Sequence, residues 1–297
     1  MNRMYKICAL VTLFYPDEKI IENILLIKRQ VTSIIVIDNT PNNKDNFKLF
    51  KDHENIYYFS NMKNYGISKA FNMYLNHSLV TESEFILFFD QDSLIHEKLV
   101  ENLVKDYNIL MNNKISIGCI GPVYYEKNAN KLMIPKIKKL LFSSVYEVDS
   151  IITSSMLTTY NTLKKINFWN EEIFLDLADW DLCWRLKASG FKCCLTQHVV
   201  LNHVLGKSVK KIGPFSIKEG ASIREYYQTR DCLKLLLKKY TPFRYKIRFI
   251  LMLTIRPIVH IFFLSEKYSR AKYIFLGFID FFRAINGSFD FRNIKKK

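Results

Sequence analysis

The first 120 residues alternate between short apolar runs and stretches with helical periodicity. The runs rich in Ile, Val and Phe predict β-strands at residues 7–14, 33–38, 56–59 and 85–90. Between the last two strands, apolar residues recur at the spacing of one face of a helix, and this spacing predicts an amphipathic helix. The residues are Ile67, Ala70, Phe71, Tyr74 and Leu75. Strands that alternate with helices are typical of βαβ units. The chain is therefore predicted to have an α/β fold with a mainly parallel sheet flanked by helices.

Acidic residues stand at the ends of two predicted strands. Asp38 ends the second strand, and Asp90-Gln91-Asp92 ends and follows the fourth. The carboxyl ends of parallel strands meet at one edge of a sheet, so these carboxylates are expected to converge on one ligand site. Two carboxylates at this spacing suit Mg²⁺ or Mn²⁺ bound together with a nucleotide diphosphate. The alternative is a solvated turn after a buried strand.

Several other kinds of site are not indicated. The sequence contains neither GxGxxG nor GxxxxGK[ST], which argues against a dinucleotide oxidoreductase and a P-loop ATPase. The six cysteines show no CxxC pair and no zinc-like spacing, so neither a disulfide framework nor a structural metal site is expected. The apolar run at 7–14 has no small-residue cleavage site and is interpreted as a first strand, not a signal peptide.

Beyond residue 120 the pattern is less regular. Residues 148–153 are predicted to resume as a strand, and residues 173–190 form a helix-like segment containing Asp176, Asp179 and Asp181. Helix capping explains one of these acids but not all three, so a general base for an attacking hydroxyl is a second interpretation. His203 is either structural or a metal ligand, and the latter requires it to fold back toward Asp92.

The positive charge is concentrated at the carboxyl end of the chain. The formal net charge is +16, and the sequence pI is about 9.4. Residues 1–206 carry 23 Lys and Arg against 22 Asp and Glu, whereas residues 207–297 carry 21 against 6. This division predicts a body at 1–206 and a basic, helical region at 207–297. Anionic lipid and nucleic acid are the two ordinary partners of such a region.

The apolar runs of the basic region favour lipid over nucleic acid. The runs at 249–255, 258–264 and 273–285 are too short or too interrupted to cross a bilayer, which takes roughly 20 mainly apolar residues. Helices lying in the membrane interface fit this pattern. The alternative is an ordinary helical subdomain that packs on the body and exposes a solvated basic face.

An ordered set of motifs across residues 5–235 resembles the family 2 glycosyltransferases of GT-A fold, and more narrowly their bacterial rhamnosyltransferase branch. The motifs are Ile37-Asp38-Asn39-Thr40, Asn64-Tyr65-Gly66-Ile67-Ser68-Lys69-Ala70, Phe88-Phe89-Asp90-Gln91-Asp92-Ser93, Ile152-Thr153-Ser154, Phe174-Leu175-Asp176-Leu177-Ala178-Asp179-Trp180-Asp181-Leu182-Cys183-Trp184-Arg185-Leu186, His203-Val204-Leu205-Gly206 and Arg224-Glu225-Tyr226-Tyr227-Gln228-Thr229-Arg230-Asp231. The Asp-Gln-Asp-Ser and His-x-Leu-Gly forms indicate the rhamnosyl branch.

The resemblance implies a role for each matching residue. The catalytic base would be Asp179. The donor nucleotide would contact Thr12, Tyr15, Asp38, Asn64, Lys69, Asp90 and Gln91. The metal, Mg²⁺ or Mn²⁺, would be held by Asp90, Asp92 and His203. Three positions depart from the wider family: Ala178 precedes the base in place of Glu, Ser155 replaces a common Gly, and Asp231 replaces a frequent Asn. The first departure leaves Asp179 and Asp181 both open as the base, and the last leaves Arg224 and Arg230 open as diphosphate or acceptor contacts.

The reaction that the resemblance implies is an inverting transfer of L-rhamnose from dTDP-L-rhamnose to a hydroxyl of a lipid-linked glycan. The product would be a bacterial surface polysaccharide such as O-antigen. The enzyme would act in the cytoplasm, peripherally bound to the anionic inner face of the plasma membrane, and no nucleic-acid partner is expected. The alternatives are a UDP-hexose donor on the same fold, a nucleic-acid-binding metal enzyme, and a membrane scaffold without activity.

Overall fold

The structure is a computed structural model that describes residues 5–42, 45–91, 93–126, 130–203, 208–212 and 215–289. Of residue 203 and residues 208–212 and 215–218, the backbone alone is described. The strands are β1 (Ile7–Leu13), β2 (Ser33–Asp38), β3 (Ile56–Ser60), β4 (Phe85–Asp90), β5 (Ser93–Leu94), β6 (Ile117–Glu126), β7 (Lys131–Met133), β8 (Ile137–Phe142), β9 (Val145–Val148), β10 (Met156–Thr158), β11 (Lys192–His203), β12 (Ser208–Ile212) and β13 (Phe215–Glu219).

The helices cover the faces of the sheet and form most of the carboxyl-terminal region. They are α1 (Ile20–Lys28), α2 (Gly66–Leu75), α3 (Ser78–Thr81), α4 (Leu99–Asn112), α5 (Tyr160–Lys165), α6 (Ala178–Ala188), α7 (Arg224–Leu237), α8 (Phe243–Phe263) and α9 (Lys267–Phe282). A short 3₁₀ helix spans Asn46–Leu49. The predicted helix after Gly66 is confirmed as α2.

The main sheet begins with the four strands predicted from the apolar runs. Its strand order is β3-β2-β1-β4-β10-β6-β11-β9-β8, and β1 to β4 pair in parallel. Every residue of β1 is buried, because helices cover both faces of this part of the sheet. Alternate side chains therefore enter two separate cores, with Cys8 and Leu10 in one and Ala9 and Val11 in the other. The predicted α/β fold is confirmed.

The prediction of a strand at residues 148–153 is wrong in its bounds. The strand is β9, and it ends at Val148. The chain leaves the sheet there because Asp149 turns toward three cations: Lys138 at 2.7 Å, Arg244 at 3.1 Å, and Lys187. A carboxylate buried to this degree is tolerated because it is paired. The next strand of the main sheet is β10, which begins directly after Ser155, a residue with a positive φ of 64°.

The carboxyl-terminal helices pack against the body through aromatic side chains. Tyr245 and Phe249 of α8 lie against Trp180 and Trp184 of α6, and the Tyr245–Trp184 ring centroids are 4.7 Å apart. Phe249 is fully buried, and burial of such a side chain contributes about 1.5–3 kcal/mol. None of the described helices is both long enough and apolar enough to cross a bilayer. The division at residue 206 stays a prediction from composition.

Candidate active site

The carboxyl ends of β1, β2 and β4 lie side by side. Thr12 of β1 is in register with Ile37 of β2 and with Asp90 of β4, and Leu13 is in register with Asp38. The fold therefore brings Thr12, Asp38 and Asp90 to one edge of the sheet, as the sequence predicts. Thr12 is mostly buried, and its hydroxyl lies 3.5 Å from the carbonyl oxygen of Phe89.

Asp38 is fully buried, and its carboxylate is held by donors from the protein. The backbone N–H of Thr40 donates to one oxygen at 2.8 Å. The side chains of Asn46 and Tyr58 donate to the other at 2.6 Å and 2.7 Å. Burial and this bond to the carboxylate raise the pKa of the Tyr58 phenol. Asp38 is therefore fixed in place, and sequence reasoning missed Asn46 and Tyr58 because neither belongs to a motif.

An exposed aromatic pair follows β1 at this edge. The rings of Phe14 and Tyr15 meet edge to face at 4.7 Å, and Tyr15 has a φ of 49° and is 64% exposed. The backbone N–H of Tyr15 donates to the Thr40 hydroxyl at 2.8 Å. The Gln91 side chain accepts from the Phe14 N–H at 2.8 Å and donates to the Phe14 carbonyl oxygen at 3.1 Å. Gln91 thus fastens the loop after β1 to the end of β4.

Asn64 and Lys69 lie at the start of α2. The Asn64 side-chain oxygen accepts from the N–H of Gly66 at 2.9 Å, while Asn39 donates to the Gly66 carbonyl oxygen at 3.0 Å. Gly66 has a φ of 75°, and a Cβ there would lie 2.3 Å from a backbone oxygen, so this position requires glycine. The exposed Lys69 ammonium lies 5.1 Å from the ring centre of Tyr65. It is free to face an anionic group at the sheet edge.

Asp90 is held by two buried serines. The Ser93 hydroxyl donates to the Asp90 carboxylate at 2.8 Å, and the Ser154 hydroxyl donates to Ser93. The backbone of His203 pairs with Ser93 between β11 and β5, so the chain returns to this edge as the metal-ligand hypothesis requires. Asp92 lies outside the described residues, as does the side chain of His203. The partly exposed Asp90 carboxylate is the hard oxygen donor that fits Mg²⁺ or Mn²⁺.

Asp179 lies in the first turn of α6 and is partly exposed. Its carboxylate accepts the Trp180 N–H at 2.8 Å. Desolvation of the carboxyl group by the surrounding protein raises the pKa of Asp179 to about 8, and the neighbouring Cys183 and Asp176 add smaller contributions in the same direction. Burial and the charge of Asp179 in turn raise the pKa of Tyr124, at the end of β6, to about 12. A carboxylate with a pKa near neutrality is a stronger base than an ordinary aspartate.

Asp181 has the opposite environment. Its side chain is fully buried and accepts from the Arg185 guanidinium at 2.7 Å, the Asn170 amide at 3.1 Å and the Tyr240 hydroxyl at 2.5 Å. These three donors come from α6, the loop before it and the segment after α7. Asp181 therefore joins α6 to its neighbours, and the sequence did not distinguish it from Asp179.

The two arginines of α7 also differ. Arg224 is partly exposed and forms an ion pair with Asp176, whose carboxylate also accepts from Gln228 at 2.5 Å. Arg230 is fully buried, where it binds Asp231 at 2.8 Å and the carbonyl oxygen of Gly287 at 2.8 Å. This burial excludes Arg230 as a diphosphate contact. Arg224 remains near the candidate base through Asp176.

Three cysteine side chains converge in the core. Within the described part of the chain, Cys119, Cys183 and Cys193 are the one group of three His, Cys, Asp or Glu side chains whose ligand atoms lie within 4.8 Å of one another. Sequence spacing does not show this group, because its members come from β6, α6 and β11. All three are fully buried among apolar side chains, the usual environment of a free structural cysteine.

Comparison with known proteins identifies relatives of this fold. The chain is 26% identical over 292 residues to the dTDP-rhamnosyl transferase RfbF of Shigella flexneri, covering 95% of this chain and 97% of that protein. The structure is similar to that of S. aureus TarS 1-349 in complex with UDP-GlcNAc, with a TM-score of 0.58, 13% identity, and coverage of 94% of this chain and 81% of that one. It is also similar to GalNAc-T7 with UDP, GalNAc and Mn²⁺, with a TM-score of 0.52, 9% identity, and coverage of 87% and 58%.

The family is given by a match that includes the sheet edge described above. The model of the family "Glycosyl transferase family 2" matches residues 10–159, which run from β1 through β10 and contain Thr12, Asp38 and Asp90. This match covers half of the chain, and the two structural neighbours have the same fold. The chain belongs to glycosyl transferase family 2.

Proposed function

We propose that the protein transfers L-rhamnose from dTDP-L-rhamnose, with inversion, to a hydroxyl of a lipid-linked glycan. The observation that carries the reaction class is Asp179, a partly exposed carboxylate with a pKa of about 8 in the first turn of α6. The donor follows from similarity to the dTDP-rhamnosyl transferase over nearly the whole length of both chains.

The nucleotide of the donor binds at the carboxyl ends of β1, β2 and β4. Tyr15 presents an exposed ring at this edge, and the loop that carries it is fastened by Gln91. Thr12, Asp38 and Asn64 shape the pocket by fixing neighbouring backbone, and Lys69 supplies a positive charge for the phosphates. These roles require little movement of the chain, because the polar groups are already held by the protein.

Asp179 acts as the general base. Its carboxylate takes the proton from the acceptor hydroxyl as the hydroxyl oxygen attacks the anomeric carbon of rhamnose. The bond to the diphosphate breaks as the new glycosidic bond forms on the opposite face of the sugar, so the configuration at the anomeric carbon inverts. Asp181 is unsuited to this role, since its two oxygens are engaged by Arg185, Asn170 and Tyr240.

A divalent cation, Mg²⁺ or Mn²⁺, fits the oxygen donor that Asp90 offers at the sheet edge. Asp90, Asp92 and His203 are the residues that would hold it. The positive charge of a bound metal would neutralise negative charge that develops on the departing diphosphate. Ser93 and Ser154 keep Asp90 oriented for this role through their hydrogen bonds. GalNAc-T7, a structural neighbour, has been crystallised with Mn²⁺.

The acceptor is held at the inner face of the plasma membrane, to which the enzyme binds peripherally. An outer stripe of α8 exposes large apolar side chains at helical spacing over a length of about 30 Å. Its members are Phe243, Ile247, Ile250, Leu251, Ile255, Ile258 and Phe262. Phe275 and Phe282 of α9 are exposed as well. With the basic residues of both helices, this surface suits an anionic interface.

Donor binding and hydrolysis test the proposal. The purified chain with Mn²⁺ or Mg²⁺ is titrated with dTDP-rhamnose and with UDP-sugars in a calorimeter, and release of nucleoside diphosphate is followed. Metal-dependent binding of dTDP-rhamnose, lost in Asp92→Ala and kept in the surface control Asp52→Ala, is the expected result. Binding of a UDP-sugar alone would be consistent with glycosyl transfer but would show that dTDP-rhamnose is not the donor. Binding of neither nucleotide sugar would overturn the proposed function.

A further inference from the structure

A second segment that exposes apolar and basic side chains lies outside the carboxyl-terminal helices α8 and α9. Residues 131–142, here named the 131–142 strip, comprise β7, β8 and the three residues between them. Large apolar side chains in the strip are exposed by 38–53%, and they are Leu132, Ile134, Ile137, Leu140 and Phe142. Five exposed apolar side chains in twelve positions are more than scattered solvent exposure usually gives, and they indicate a segment that contacts a partner.

The strip also carries positive charge and no acidic residue. Lys131, Lys136, Lys138 and Lys139 are all exposed. Lys138 pairs with Asp149 at 2.7 Å. The apolar side chains and the lysines alternate along the chain, so a partner that lies along this segment meets both apolar side chains and positive charge. An anionic bilayer surface accommodates both, because its headgroups neutralise lysine while the acyl boundary takes up apolar side chains.

A second copy of this chain is disfavoured as the partner. β8 is at the edge of the main sheet, and an edge strand can pair with the same strand of another molecule. Such a pairing would bring the lysines of two copies together at positions 136, 138 and 139. Lysines on an edge strand oppose edge-to-edge association for this reason.

The strip joins the candidate active site to α8. At one end, β7 pairs with β6 at Tyr124, Tyr125 and Glu126, and the same stretch of β6 pairs with the end of β11 beside Ser93. At the other end, Lys138 of β8 and Arg244 of α8 bind the same carboxylate, Asp149, so the strip adjoins the amino-terminal end of the outer stripe of α8.

We propose that the 131–142 strip is a second membrane-contact element that lies on anionic lipid beside the outer stripe of α8. In this position the carboxyl ends of the parallel strands, where Asp90 lies, face the membrane surface at which a lipid-linked acceptor is presented. This inference rests on the proposed action at a membrane, and it adds a contact outside the carboxyl-terminal helices. A contact outside the carboxyl-terminal helices restricts the orientation of the protein on the membrane, because the strip and α8 must then lie on lipid together.

Vesicle flotation tests the strip with the full chain and phosphatidylcholine vesicles containing about 30% phosphatidylglycerol. Two double variants change the strip, Leu140→Ser with Phe142→Ser and Lys136→Ser with Lys139→Ser. Ile255→Ser with Phe262→Ser changes α8, and Met111→Ser on the exposed face of α4 is the matched control. We expect the lysine variant to lower the vesicle partition coefficient by about 25-fold, at about fivefold per lysine. The Leu140→Ser with Phe142→Ser variant should lower it by about tenfold or more, because two apolar contacts with the lipid are lost. Met111→Ser should leave it unchanged.

Three other results would overturn the proposal in distinguishable ways. If the strip variants bind vesicles like the unaltered chain while the α8 variant does not, α8 is the whole anchor and the strip has no membrane role. If the unaltered chain does not float with vesicles, the proposed membrane action fails as well. If the strip variants change the oligomeric state by light scattering and leave flotation unchanged, the strip is an interface between copies. Thermal unfolding of each variant shows that it is folded.

Discussion

Asp179 and Asp181 lie two residues apart in the first turn of α6, yet one is partly exposed and the other is fully enclosed by hydrogen-bond donors. Asp179 accepts the backbone N–H of the next residue, whereas Asp181 binds three side chains, one each from α6, the loop before it and the segment after α7. These environments suit the proposed role of Asp179 as a general base and give Asp181 a role in holding the fold together. Substitution of each should separate the two roles.

Asp179→Asn should strongly slow sugar transfer while leaving donor binding intact. The amide cannot take the acceptor proton, and loss of a general base lowers the rate by about 10²–10⁴-fold. The measurement is transfer to acceptor with saturating dTDP-rhamnose, alongside calorimetry of donor binding. Transfer at the unaltered rate would show that another group is the base.

Asp181→Asn should destabilise the fold. The change leaves the Arg185 guanidinium buried without its charge partner, and breaking a buried pair in this way costs about 3 kcal/mol or more. We expect Tm to fall by roughly 5 °C or more, because a loss of about 1 kcal/mol lowers the Tm of a chain of this size by about 2 °C. The matched comparison is Asp179→Asn, which has no ion pair to lose. A variant of unchanged Tm and no transfer would instead place Asp181 in the reaction.

The sheet and the candidate site at its edge could be predicted because their determinants are local. The apolar runs fix β1, β2 and β4, and in a parallel sheet Asp38 and Asp90 must then share an edge. The assignment of Asp179 came from resemblance, because capping and base catalysis produce the same sequence pattern.

Features that depend on distant contacts were not predictable. The end of β9 at Val148 is set by the cations that surround Asp149, and they come from β8, α6 and α8. The meeting of Cys119, Cys183 and Cys193 likewise requires the packing of three separate elements. No spacing rule along the chain contains this information.

The rate of transfer should rise with pH and level off above about 8. The pKa of Asp179 is about 8, so much of this carboxyl is protonated at neutral pH and cannot accept a proton. The measurement is kcat/KM against pH from 6 to about 9.5. A profile that is flat across this range would contradict the assignment of Asp179 as a base with a raised pKa.

The same group should make stability depend on pH. Burial raises the pKa of Asp179 in the folded state above its ordinary value of 3.8, so the folded chain binds this proton more tightly than the unfolded chain. The free energy of unfolding that this group contributes is therefore fully present below about pH 4 and is lost as pH rises toward 8. The free energy of unfolding, measured by denaturant titration at several pH values across this window, should fall less steeply with pH for Asp179→Asn than for the unaltered chain.

Gln91→Ala should weaken donor binding without a matching loss of kcat. The side chain makes two hydrogen bonds to the Phe14 backbone, and each contributes about 1 kcal/mol. Their loss frees the loop that carries Phe14 and Tyr15, so the Kd for dTDP-rhamnose should rise by about 5–30-fold. Gln91→Glu is the matched control, because its carboxylate still accepts from the Phe14 N–H but no longer donates to the carbonyl oxygen. An intermediate Kd for that variant would show that the loop, held at both atoms, forms part of the nucleotide pocket. Equal Kd values for all three proteins would show that the aromatic pair does not contact the donor.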